Sequence, residues 1–330
     1  MKFDLGLVGD LADSGRLAAD LEAMGVDGTF SFEGVHGPFL PLALAATTTS
    51  TIDLWTGIAV AFARNPMTAA QDAHDLQTIP GGRFHLGLGS QIRPHIERRF
   101  SMPWSDPVGR MEEFVGAVRA IWHTWRTGDA LAFEGKHYQH TLMTPLFTPR
   151  DMHPTDPSIV LAGVGARMVA AAGRVADALL VHPFHSREFL DADTVPALRA
   201  AADGREVGLW IQTMVAVGDD EEQVADARRR ASWQLGFYGS TPAYRGMLDH
   251  HGMGDLQPRL RELTRAGDWA GLTALVPDEL IDLVVVSGSI EDVAVGLRAR
   301  NADAARTALV PYDGTTNGSG PARLVAALQS

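Results

Sequence analysis

The sequence predicts an α/β fold, a (β/α)8 TIM barrel with insertions, and three observations carry that reading. Short apolar runs alternate with segments of helical spacing through most of the chain. Eight such runs occur, near residues 3, 28, 53, 84, 158, 178, 209 and 307. No break in the alternation marks a second domain, so 1–330 reads as one barrel domain with insertions at about 128–157 and 236–275. A doubly wound open sheet has the same strand count and stays open at this point.

The elements come in order. Residues 3–8 are a buried strand. Segment 11–24 places Leu11, Leu17, Leu21 and Met24 on one helical face, and Gly25 stops it. The run 28–33, aromatic and β-branched, is a strand; 41–49 is helix and 52–60 strand. Pro66 suits the first turn of a helix to about 78, and 84–89 is strand again. Helix 107–125 carries Met111, Phe114, Val118, Ile121, Trp122 and Trp125 at helical spacing. The stretch 128–157 holds Pro145, Pro149, Pro154 and Pro157, with a hairpin expected to pair 130–133 with 137–142. The rhythm resumes with strand 158–162, helix 166–175, strand 178–182, helix 187–202, strand 209–217 and amphipathic helix 219–234. Segment 236–275 is irregular or helical. Helices are expected over 279–286 and 289–299, the second opened by Ser289 and Asp292 in a near capping box, then a strand over 307–311 and a loose segment 313–320.

Composition excludes several functions. The 330 residues carry a formal net charge of −12, which disfavours nucleic acid and anionic membrane surfaces as partners. With no cysteine there are no disulfides, iron–sulfur clusters or thiol nucleophiles. Met1-Lys2-Phe3-Asp4 offers no secretory signal and no run is long enough to span a bilayer, so a cytoplasmic protein is expected.

A barrel builds its site where strands end. That rule selects Val8 and Gly9, Glu33 to His36, Ile58 to Ala61, Ser90 and Gln91, Gly163 to Gly165, His182 to Phe184, Val217, and Tyr312 with Asp313. Gly163-Val164-Gly165-Ala166 and Gly87-Leu88-Gly89-Ser90-Gln91 each join a strand to the next element, and such turns either cradle a phosphate or merely relieve strain. Neither is GxGxxG, and GxxxxGK[ST], HExxH and GxSxG are absent. Glu33 is an anchor, an acid/base group or a loop cap; His36 and His182 are candidates on the substrate side. His250 and His251 read as a solvated turn, His74 and His85 as packing, and His137, His140 and His153 as candidates for the mouth. No metal site is expected. With no nucleophile, metal or P-loop in view, the chemistry falls to an organic cofactor.

The chain resembles the luciferase-like monooxygenase superfamily, and within it the oxidoreductases that use the deazaflavin coenzyme F420. Segments 38–46, 57–66, 81–91, 110–125 and 140–145 carry the resemblance, above all Gly82-Arg83-Phe84 followed by Gly87-Leu88-Gly89-Ser90. The resemblance implies a barrel, a homodimer, and a cofactor ring beside a bulge in the third strand at Gly57, Ile58 and Ala59, with a cis bond between Gly57 and Ile58. It implies phosphate contacts at Ser90, Gln91 and Gly163 to Ala166, and places Glu33 near the reacting ring. Members that oxidise sugar phosphates carry Asp-His and Glu where this chain has Phe32-Glu33 and Gln91-Ile92, which argues against that substrate. The expected activity is hydride transfer between F420 and a small organic substrate. An FMN-dependent monooxygenase and a non-catalytic flavin-binding barrel are the alternatives.

Overall fold

The computed structural model describes residues 1–311 and 320–329. Eight parallel strands close on themselves: β1 (Lys2–Gly6), β2 (Gly28–Ser31), β3 (Asp53–Thr56), β4 (Phe84–Gly89), β5 (Ser158–Gly163), β6 (Ala178–Val181), β7 (Gly208–Val217) and β8 (Arg306–Pro311). Each pairs with the next, and β8 returns to β1 in the register Phe3↔Thr307 and Leu5↔Leu309. The ring of pairings makes this a (β/α)8 barrel and sets aside the open sheet, whose edge strands would each lack one neighbour.

Helices surround the ring: α1 (Ser14–Met24), α2 (Phe39–Ala46), α3 (Pro66–Thr78), α4 (Pro107–Thr127), α5 (Ala166–Val175), α6 (Val195–Ala202), α7 (Glu221–Gly239), α8 (Ile290–Arg300) and α9 (Gly320–Gln329). Their starts obey local chemistry. Asn65 caps α3 with Pro66 in the first turn, and Ser289 with Asp292 completes a capping box on α8.

The barrel interior is a column of Phe30, Trp55, Val160, Leu180, Trp210 and Ala308. Trp55 packs against Phe30 at 4.5 Å with the rings tilted by 32°, and edge-on to Trp210 at 5.3 Å. At the N-terminal ends of the strands the floor is ionic. Asp4 accepts from Arg306 Nη1 at 2.6 Å and from Trp55 Nε1 at 2.7 Å, and Asp53 pairs with both Arg306 and Lys2. At the other end Ile58 and Ala162 close the column, and that end is the mouth.

Three expectations change. Residues Val285–Gly288 form a strand, not the end of a helix; the helix stops at Val284. The ten residues of β7 reach beyond β6, which covers only Gly208 to Ile211, and Val285–Gly288 takes the vacated edge at Met214 to Val217. The β-branched run Val284-Val285-Val286 suits it. The single helix expected over 187–202 is broken by a π-helical turn, Leu190–Thr194, just before Pro196, which supplies no amide donor. The hairpin is shorter than expected, pairing Phe133–Glu134 with Gln139–His140, because Glu113 on α4 takes the amides of Lys136, His137 and Tyr138 and holds them as a turn. Segment 236–275 is mostly helical: α7 runs on to Gly239, then come Arg245–His250, Leu256–Ala266 and Trp269–Leu275, packed on a cluster of their own with Phe184, Leu235 and Leu260. Of the loose segment expected over 313–320, Gly320 instead begins α9; the rest of it and the rim residues Tyr312 and Asp313 lie outside the described residues. Among the described residues no helix is long and apolar enough to cross a membrane.

Candidate functional site

The mouth is assembled from strand ends. Gly57 closes β3, and the bond from Gly57 to Ile58 is cis. A side chain at 57 would meet Trp55 at 2.7 Å and Phe30 at 2.9 Å, so packing alone requires glycine there. The chain then turns back to pair at Ala59 and Val60 with Leu88 and Gly89 of β4. This is the bulge. It leaves Ile58 half-exposed beside Ala162, an apolar floor over the interior column, while Ala59 is fully buried.

Glu33 lies just past β2 and faces this bulge with a nearly buried side chain. Its carboxylate accepts from the Val60 amide at 3.1 Å and from both terminal nitrogens of Arg64. Sequence reading did not single out Arg64, because nothing local to it marks a partner 31 residues away. His36 is exposed in the loop after Glu33, where its carbonyl accepts from the Gly34 amide at 3.2 Å. Ser90 and Gln91 stand half-buried at the end of β4, Gln91 with a left-handed backbone at φ 58°; the Ser90 hydroxyl donates to the Gln91 carbonyl at 3.1 Å.

Gly163 is buried at the end of β5, Val164 half-buried, and Gly165 and Ala166 exposed. Gly165 is the N-cap of α5, and no side chain caps that helix start. Its φ of −88° suits any residue, and an added Cβ would meet nothing within 4 Å. Neither conformation nor packing calls for glycine at 165, so the position is an open cradle at a helix start, where backbone amides face outward.

The cradle opens into a cavity of about 390 Å³, lined further by His182, Phe184, His185, Tyr244 and Met247. His182 stacks on Tyr244 at 4.5 Å and meets Tyr238 edge-on at 4.5 Å. Its Nδ1 accepts from the Phe184 amide at 3.1 Å, which leaves the proton on Nε2. Desolvation pushes His182 down to about 3, and burial with Arg300 nearby does the same for His185. Both are therefore neutral at neutral pH. The roof over the cavity is tied down by residues expected to be a solvated turn: Ser186 Oγ lies 2.7 Å from His251 Nε2, and His250 pairs with Asp193 at 3.3 Å. A larger hollow of about 1120 Å³ lies between α7, the segment 270–281 and the start of α8, and neither Ile58 nor Ala162 lines it. His153 does not line the mouth. It packs beside Gly82 and Thr155 at the opposite end of the barrel, where β4 and β5 begin. His74 packs edge-on to Trp125 at 5.7 Å and His85 to Trp210 at 5.2 Å. No group of three or more metal-ligating side chains occurs among the described residues.

The structure thus brings together two parts at the mouth, the apolar bulge and the open cradle. Residues 4–307 match the family described as luciferase-like monooxygenase. An uncharacterised protein of Mycobacterium tuberculosis is 46% identical over 305 residues, covering 91% of this chain and 90% of its own. The coenzyme F420-dependent tetrahydromethanopterin reductase of Methanopyrus kandleri superposes with a TM-score of 0.79 at 18% identity, covering 99% of this chain and 96% of that one. The FMN-bound oxygenating constituent of 3,6-diketocamphane monooxygenase from Pseudomonas putida superposes with a TM-score of 0.66 at 17% identity, covering 98% and 97%.

Proposed function

Because this chain belongs to the luciferase-like monooxygenase family, we propose that it is an oxidoreductase that binds coenzyme F420 at the barrel mouth and transfers a hydride between it and a small organic substrate. The carrying observation is the uncapped start of α5 at Gly165, with free space where a side chain would stand. Such a cradle fits a phosphate, which draws on helix-terminal amides and needs no nearby cation. The apolar floor of Ile58 and Ala162 fits the face of a planar ring. The F420-dependent tetrahydromethanopterin reductase among its structural neighbours supports F420, and the FMN-bound neighbour keeps FMN as the alternative.

When bound, F420 supplies two-electron hydride chemistry. This chain's own residues bind and orient. Ile58 and Ala162 set the depth of the ring, Ser90 and the amides from Gly165 onward hold the polar tail, and the neutral His182 offers its Nε2 proton to a substrate oxygen in the cavity. His36 lies on the exposed rim as a weaker substrate contact. The same reading includes a homodimer, which the family resemblance implies, and a cytoplasmic location, which the absence of cysteine fits.

Titration of the purified protein with F420 and with FMN, followed by ring fluorescence, tests the reading. F420 is expected to bind about tenfold tighter or better, a difference of about 1.4 kcal/mol. Preference for FMN, with oxygen uptake in the presence of substrate, establishes the monooxygenase reading that the FMN-bound neighbour supports. Tight binding without redox change across a substrate panel assigns a non-catalytic barrel.

A further inference from the structure

We infer that Arg64 is a positioning residue, which with Glu33 forms a clamp that fixes the third-strand bulge as the platform for the cofactor ring. The inference deepens the reading above and rests on it for the identity of the ring.

The clamp grips the bulge by its backbone. The Glu33 amide donates to the Ile58 carbonyl at 3.1 Å, and the Gly57 amide donates to the Ser31 carbonyl at 2.8 Å. The Glu33 carboxylate accepts from the Val60 amide at 3.1 Å, while Arg64 Nη1 donates to the Val60 carbonyl at 3.0 Å. Both polar groups of Val60 are therefore held by one ion pair. The pair is two-pronged: Arg64 Nη2 donates to Oε1 at 3.0 Å and Nη1 to Oε2. Two parallel bonds fix orientation as well as distance. The Arg64 guanidinium also lies 5.2 Å from the centre of the Phe39 ring on α2. Both side chains are largely withdrawn from water, at 17% and 10% exposure, so solvent screens the pair less than a surface bridge.

This occupancy assigns Glu33 an anchoring task. Three donors already converge on its carboxylate, two on Oε2 and one on Oε1, and all three come from the bulge and Arg64. Nothing in the arrangement places Arg64 itself against a ligand. Its effect travels through Glu33 and Val60 to Ile58.

The test uses the full chain and the variants E33Q, R64M, R64K and E33Q/R64M. F420 affinity is read by ring fluorescence, the setting of the bound ring by its induced circular dichroism, and the bulge by hydrogen exchange of peptides spanning 57–64 without ligand. R64M and E33Q are each expected to weaken F420 binding about tenfold or more. Each should also alter the dichroism at saturating F420 and speed exchange over 57–64. The double variant is expected to be no weaker than the worse single one, since the two residues act as a unit. R64K is expected to recover only part of the loss, because an ammonium cannot bridge both oxygens in the plane of a guanidinium. Unchanged affinity and exchange in R64M overturn the clamp. So do losses that multiply in the double variant, or a lowered melting temperature with unaltered dichroism. Failure of the unmodified protein to bind F420 overturns the cofactor reading instead, and the hydrogen exchange then decides the clamp by itself.

Discussion

Asp4 and Arg306 stand 302 residues apart and meet in the barrel floor, 0% and 3% exposed at the side chain. A pair so buried resists dissection one partner at a time. R306M leaves the Asp4 carboxylate without its counter-charge and is expected to cost about 3–5 kcal/mol. Urea unfolding measures it, and D4N/R306M should recover part of the loss. His185 gives a second residue-scale prediction. Burial holds it at about 3, below the ordinary histidine value of 6.5, so the unfolded chain takes up its proton first. Its contribution to stability is complete above pH 6.5 and declines as pH falls toward 3. Across that window His185 adds a slope of up to about 1.4 kcal/mol per pH unit. Unfolding of H185Q at pH 7, 6 and 5 should show a shallower decline than the parent protein. Glu22 acts with the same sign at lower pH. Desolvation opposes its charge, but the Thr51, Ser50 and Ile52 amides prevail and hold it at about 2, so its support is present above 4.5 and lost below.

At the scale of elements, α5 presents an uncapped start that an ordinary helix would fill with Asp, Asn or Ser. G165D places a good cap where there is open space, so the melting temperature should hold or rise slightly. The same carboxylate repels a phosphate, and F420 affinity should fall about tenfold or more if the cradle holds the coenzyme's tail. A variant that binds F420 as before moves the phosphate elsewhere. Elements also show where sequence reading stops. Strand and helix existence came from periodicity, and the capping chemistry of Ser289 and Asp292 located α8. The strand at Val285–Gly288 did not, because its reason is an edge left open by the unequal lengths of β6 and β7. The hairpin was legible as a hairpin, while its register was set by Glu113, a residue of a different element.

The whole molecule depends on closure. β8 is the last strand of the ring and is bound on both sides, to β1 and β7. A chain ending at residue 305 loses that strand together with Arg306 and exposes two edges of the sheet. It is expected to aggregate or to lose cooperative unfolding, as read by size-exclusion chromatography and thermal melting. Retention of a cooperative transition would show that seven strands suffice. The mouth is a product of the same closure. Glu33, Ile58, Ser90 and Gly163 to Gly165 were legible as strand ends from sequence, whereas their division into a bulge held by Arg64 and a cradle opening on a separate cavity was not.

By itself the sequence determined the eight strands, most of the helices, and which residues stand where strands end, because periodicity, capping and turn chemistry act within a few residues. Only the tertiary structure decided which of those residues meet. Arg64 reaches Glu33 across 31 positions, His251 reaches Ser186 across 65, and Arg306 reaches Asp4 across 302. Partners so far apart are chosen by strand register and closure of the ring, and no local pattern along the chain encodes that choice.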